Sequence, residues 1–94
     1  MMNPSEHIAN NYVELQERFN IRRIGIFGSF VRGEATETSD VDVLVEFEEI
    51  VDLFTFLELK DYLEQLLGRK VDLVTEKALK ERIKTQVLGE VQYI

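Results

Sequence analysis

Two strand-like stretches, Ile21–Phe27 and Val41–Phe47, are joined by a segment too short to hold a full crossover helix. That connection constrains the fold more than any other feature of the chain. Parallel neighbours in a sheet need a long return path, usually carrying a helix, whereas antiparallel neighbours do not. The joining segment opens with Gly28-Ser29-Phe30-Val31-Arg32-Gly33 and continues through Glu, Thr and Ser, which leaves room for one short helix at most. The two strands are therefore expected to be antiparallel or splayed. In the first, Ile24 and Ile26 alternate with Arg23 and Gly25; in the second, Val41, Val43, Val45 and Phe47 share one face and Asp42, Leu44 and Glu46 the other.

Helical patterns fill most of the remaining chain. Asn3-Pro4-Ser5-Glu6 reads as a helix start, and Ile8, Tyr12, Leu15 and Phe19 then recur on one face, with Asn20 suited to the end. From Asp52 to Leu67 the pattern is helical again, with Leu53, Phe56, Leu63, Leu66 and Leu67 as its apolar stripe, Asp52 as cap and Gly68 as a left-handed stop. Its length suits a parallel crossover into a third strand, Lys70–Val74. A final helix is expected from a Thr75 cap through Leu79, Ile83, Val87 and Val91. The order α-β-α-β-α-β-α, the second helix being short, predicts an α+β fold with an α/β-like run. Its centre would be a small mixed three-stranded sheet flanked by helices, in a single domain over residues 1–94.

Composition removes several function classes. With 94 residues, 45% hydrophobic and 31% charged, the chain can close one core with little left for a second lobe. A formal net charge of -7 repels a phosphate backbone and argues against broad nucleic-acid binding. The absence of cysteine excludes disulfides and thiolate-bound zinc, and a single histidine, His7, argues against a His-based metal site or a Ser-His-Asp triad. No apolar run reaches membrane-spanning length and Met1-Met2-Asn3-Pro4 does not open a signal peptide, so the expected compartment is the cytoplasm, with no membrane partner.

Asp40 and Asp42 begin the second strand, and residues two apart on an extended chain point to one side. Two ionised carboxylates so placed repel unless they are well solvated or share a cation. A third, Asp72, interrupts the apolar strand Lys70–Val74; by itself it reads first as a solvent-facing residue of an edge strand. If the second and third strands are neighbours, all three carboxylates come within reach of one ion cluster. Magnesium prefers such oxygen donors together with substrate phosphates, and two ions can hold both the attacking and the leaving oxygens of a phosphoryl transfer. Gly28-Ser29, at the start of a short helix, offers backbone N–H groups and a hydroxyl to a phosphate. "GSFVRG" is neither a Walker A loop nor a dinucleotide turn, and "DVDVLVEF" lacks the ligands and the glycine of an EF-hand.

Gly28-Ser29, Arg32-Gly33, Ser39-Asp40-Val41-Asp42 and the lone acid in "RKVDLV" resemble the DNA polymerase β-type nucleotidyltransferase superfamily. Length and the wording "GSFVRGEATETSDVDVLVEF" are most similar to its minimal nucleotidyltransferases, the MNT or MntA-type antitoxins, which pair with HEPN-domain toxins. The resemblance implies that Asp40, Asp42 and Asp72 bind two Mg2+ ions, with Asp72 also helping to deprotonate the acceptor. It implies that Gly28 and Ser29 hold the β- and γ-phosphates of a nucleoside triphosphate, with ATP as co-substrate, while Arg32 either reaches the triphosphate or braces the loop. The implied activity is Mg-dependent transfer of AMP to a hydroxyl, foremost a tyrosine of a partner HEPN toxin, in a complex with that partner or in a homo-oligomer. Two alternatives stay open: an antitoxin that blocks its partner by binding with little turnover, and transfer to a small molecule. For the binding alternative the candidate surfaces are the Leu53–Leu67 helix and the C-terminal helix.

Overall fold

Asn3 caps the first helix, its Oδ1 accepting the Glu6 N–H at 2.9 Å, and Pro4 occupies the first turn. The computed structural model describes residues 3–94; Met1 and Met2, read above for a leader, lie outside the described residues. The expected first helix is two: α1 (Pro4–Asn10) and α2 (Tyr12–Phe19), broken at Asn11, whose side chain donates to the His7 carbonyl at 2.9 Å. That side-chain-to-backbone bond competes with the helical ladder, the usual reason Asn ends helices. The break leaves the apolar face in phase, and Ile8, Leu15 and Phe19 are all buried. Asn20 closes α2 in the left-handed conformation, φ 53°.

β1 (Ile21–Phe27) and β2 (Val41–Phe47) are antiparallel, with Ile24 opposite Val45 and Phe27 opposite Asp42. Between them lies only α3 (Ser29–Arg32), a single turn. α4 (Leu53–Leu67) starts on Asp52, whose Oδ1 accepts the Thr55 N–H at 2.8 Å, and stops at Gly68, φ 67°. It returns the chain to β3 (Val71–Thr75), which pairs parallel to β2. The sheet has a fourth member, β4 (Gln92–Tyr93), antiparallel to the free edge of β1, giving the order β3-β2-β1-β4. The expected three strands stand; the fourth is added by two residues, too few to show an alternating pattern.

Thr75 ends β3 and leads into a 3-10 turn without a side-chain capping bond, rather than capping the final helix. That turn (Glu76–Ala78) and extended Leu79 and Lys80 precede α5 (Glu81–Glu90). The core fills one side of the sheet: Ile8, Leu15 and Phe19 from α1 and α2 and Leu59 and Leu63 from α4 pack on Ile24, Ile26, Val41, Val43, Val45, Val71 and Leu73. Leu53, expected in the α4 stripe, is instead 67% exposed. The even-numbered residues of β2, Asp42 and Leu44 among them, point to the opposite side of the sheet, away from those helices.

Candidate active site

Parallel pairing of β2 with β3 places Asp42 directly across from Asp72. Neighbouring strands are about 4.8 Å apart, so side chains at one register position on one face are in contact range. The charge of Asp72 and that of Asp40, one residue before β2, both act on the Asp42 carboxyl. Asp42 is the most enclosed of the three; Asp40 and Asp72 are exposed. Burial first, then the charges of Asp72 and Asp40, push the Asp42 carboxyl up from its ordinary 3.8 to about 6, against a smaller opposing pull from Arg32.

The glycine turn presses on the same carboxyl. Gly28 is buried, with φ 78° and ψ -149°, and a Cβ there would collide with Asp42 Oδ2. Only glycine combines that backbone conformation with that contact. Ser29 opens α3, and the Gly28 carbonyl accepts the Val31 and Arg32 N–H groups at 3.0 and 3.1 Å. The turn and the paired aspartates, separate in sequence, thus form one corner of the sheet.

Arg32 leaves that corner sideways. Its Nε donates to Glu34 Oε1 at 2.7 Å and its Nη1 to both Glu90 oxygens at 3.1 Å, tying α3 to α5. Of the residues expected at the site, Gly28, Ser29, Asp40, Asp42 and Asp72 are gathered at this corner, while Arg32 is held by carboxylates at its flank. Sequence reading passed over Arg69, whose guanidinium reaches the carbonyl groups of the loop before Asp40. Its one signal was its place beside the "VDLV" strand.

The donor set suits a hard divalent cation. Three carboxylates, one of them pushed up to about 6 by burial and then by the charges of the other two, are the arrangement whose repulsion such a cation relieves. Among the described residues no three acidic or histidine side chains form by themselves a group that could hold a metal ion. Mg2+ does not require one, since it keeps water and phosphate oxygens in its shell.

Residues 13–94 match the nucleotidyltransferase domain family. The chain belongs to that family. It is 60% identical to the protein adenylyltransferase MntA of Thermococcus cleftensis over 86% of this chain and 82% of the relative. Its fold superposes on a solved candidate minimal nucleotidyltransferase with a TM-score of 0.78 at 42% identity, covering 97% of this chain and 95% of the other. It also matches a chain of a mutant MntA–HpeT toxin–antitoxin structure, TM-score 0.73 at 25% identity, over 100% of this chain and 72% of that one. This nucleotidyltransferase combines one small four-stranded sheet with flanking helices, and no described helix is long and apolar enough to cross a membrane.

Proposed function

We propose that this nucleotidyltransferase is a cytoplasmic antitoxin that transfers AMP from ATP to a tyrosine hydroxyl of a HEPN-domain partner. The observation that carries the reading is the Asp42–Asp72 register pair with Gly28 packed against it, because it joins the crowded carboxylates to the Gly28–Ser29 turn. The adenylyltransferase named among the relatives and the toxin–antitoxin structure among the fold neighbours supply the donor and the kind of partner.

In this reading Asp40, Asp42 and Asp72 hold two Mg2+ ions, which when bound neutralise the triphosphate and polarise the α-phosphorus. The Gly28–Ser29 turn directs N–H groups and the Ser29 hydroxyl toward the β- and γ-phosphates. Asp72, the more exposed partner of the pair, takes the proton of the attacking hydroxyl. The acceptor oxygen bonds to the α-phosphorus as the bond to pyrophosphate breaks, so AMP is transferred and pyrophosphate leaves. Alignment and charge neutralisation supply most of the acceleration in such a reaction.

One observation favours the binding antitoxin as a second reading. Leu53, Phe54 and Leu57 lie on the side of α4 away from buried Leu59 and Leu63, and with Ile50 they are exposed. An apolar surface of that kind suits a protein interface. Incubation with Mg2+, ATP and the HEPN partner, followed by intact mass of the partner, separates the two. A gain of AMP units is expected; a tight complex with no gain in mass overturns the transfer reading in favour of binding alone.

A further inference from the structure

Arg69 follows the Gly68 stop of α4 and leads into β3, and none of the chemistry above uses it. Its Nη1 donates to the main-chain carbonyls of Thr36, Glu37 and Ser39 at 3.1, 3.0 and 3.3 Å. The guanidinium carbon also stands 5.1 Å from the centroid of the Phe30 ring. One side chain therefore touches both parts of the corner: the loop that delivers Asp40, and the residue after Ser29.

The loop has little else to hold it. Ser39 Oγ accepts the Thr36 N–H at 2.8 Å, and the Thr36 carbonyl accepts the Ser39 N–H at 3.2 Å, which closes a turn without attaching it to the sheet. Among the described residues, the hydrogen bonds from residues 35–39 to distant parts of the chain all come from Arg69. Arg69 itself is well founded: the Lys70 carbonyl accepts the Val41 N–H at 2.9 Å, and the Val71 N–H donates to Glu64 Oε2 at 3.0 Å. An arginine suits the position because its flat fork donates in one plane and stacks on an aromatic ring, whereas a lysine is a point donor.

We infer that Arg69 is a positioning residue for nucleotidyl transfer, clamping the 36–39 loop against Phe30 so that Asp40 is held beside Asp42 and Asp72. The inference rests on the transfer reading above for its consequence, but the clamp is measurable without turnover. Arg69→Ala and Arg69→Lys, made in the full chain, are compared with wild type by amide hydrogen exchange without metal or nucleotide, and by calorimetric titration with MgATP.

In the alanine variant, exchange at residues 36–40 is expected to quicken about ten-fold or more while the β1 and α4 amides keep their protection, since a loop held by few bonds opens locally. MgATP affinity is expected to fall about ten-fold, the loss typical of removing a support behind metal ligands, with the lysine variant between the two. Unchanged exchange at 36–40, equal quickening throughout the chain, or a loosened loop with unchanged MgATP affinity each overturns the inference. If the wild type binds no MgATP, the transfer reading falls and the positioning role with it, and the exchange data still show whether Arg69 holds the loop. Should the alanine variant not fold, the lysine variant carries both measurements.

Discussion

Asp42 on β2 and Asp72 on β3 occupy one register position of a parallel pair, and their carboxyl groups meet on the side of the sheet that the main helices leave open. Strand pairing usually puts unlike charges or apolar groups opposite each other, because like charges there are destabilising. The domain therefore carries a local electrostatic penalty in the absence of a cation, at the corner where the proposed substrate phosphates sit.

Asp42→Asn removes one of the repelling charges while keeping the shape of the side chain. The metal-free variant is expected to be more stable than wild type at pH 8, by about 1 kcal/mol once the partial exposure of the site is allowed for. AMP transfer is expected to fall by about a hundred-fold or more, because a group acting directly on transition-state charge is lost. Thermal unfolding and transfer from α-labelled ATP measure the two effects, and loss of both stability and activity would point to a structural role instead.

The same carboxyl sets a pH dependence. Asp42 titrates near 3.8 when unfolded and near 6 when folded, so the folded state binds its proton more tightly. Ionising it then costs the fold: this contribution to stability is present below pH 3.8, declines as pH rises through the interval to about 6, and is absent above it. The groups that face it are Asp72 and Asp40, which raise its pKa, and Arg32, which lowers it. The difference in stability between wild type and Asp42→Asn, followed by denaturant titration at several pH values, should open across that interval and then level off. Millimolar Mg2+ with ATP should narrow the gap at pH 7.

Gly28→Ala tests the packing between turn and carboxylate. The added methyl faces a backbone conformation that is essentially glycine-only as well as the Asp42 oxygen, and about 2–4 kcal/mol of stability should be lost. Gly33→Ala provides the control, since it shares a positive φ of 75° but nothing lies near its Cβ. Chemical denaturation should rank Gly28→Ala well below Gly33→Ala; equal losses would show that Asp42 does not press on the turn.

The sheet's centre was legible because its physics is local and periodic. β1 and β2 begin and end where their alternation does, the short glycine-bounded link forces antiparallel pairing, and the length of α4 permits the parallel return. What escaped depended on contacts distant in sequence. β4 has no pattern of its own, yet its mark is present in Gly25: a Cβ there would stand 2.8 Å from Val91 Cγ2 and 2.9 Å from the Gln92 carbonyl. A glycine inside a strand often signals such a close approach. The break at Asn11 and the delayed start of α5 are local choices among nearly equal alternatives, settled by one side-chain bond and by extended Leu79 and Lys80. At the site, the aspartate spacing pointed to the cluster, but the clamp by Arg69 and the capture of Arg32 by Glu90 appear only once the chain is folded.

Arg32 was open between substrate and scaffold, and its geometry favours the scaffold. Glu34 and Glu90 take up its guanidinium, Glu90 being the more enclosed partner at 17% exposure. If bracing is its role, Arg32→Gln and Glu90→Gln should act alike, since each breaks the same tie between α3 and α5. Each should lower stability by no more than about 1 kcal/mol, the usual range for ion pairs near the surface. KM for ATP should then move by similar small factors in both variants. Arg32→Gln should additionally shift the Asp42 titration upward, because the charge that opposes its neighbours is gone. A rise in KM of about ten-fold in Arg32→Gln with none in Glu90→Gln would assign Arg32 to the triphosphate, since a charge-assisted bond is worth about that much.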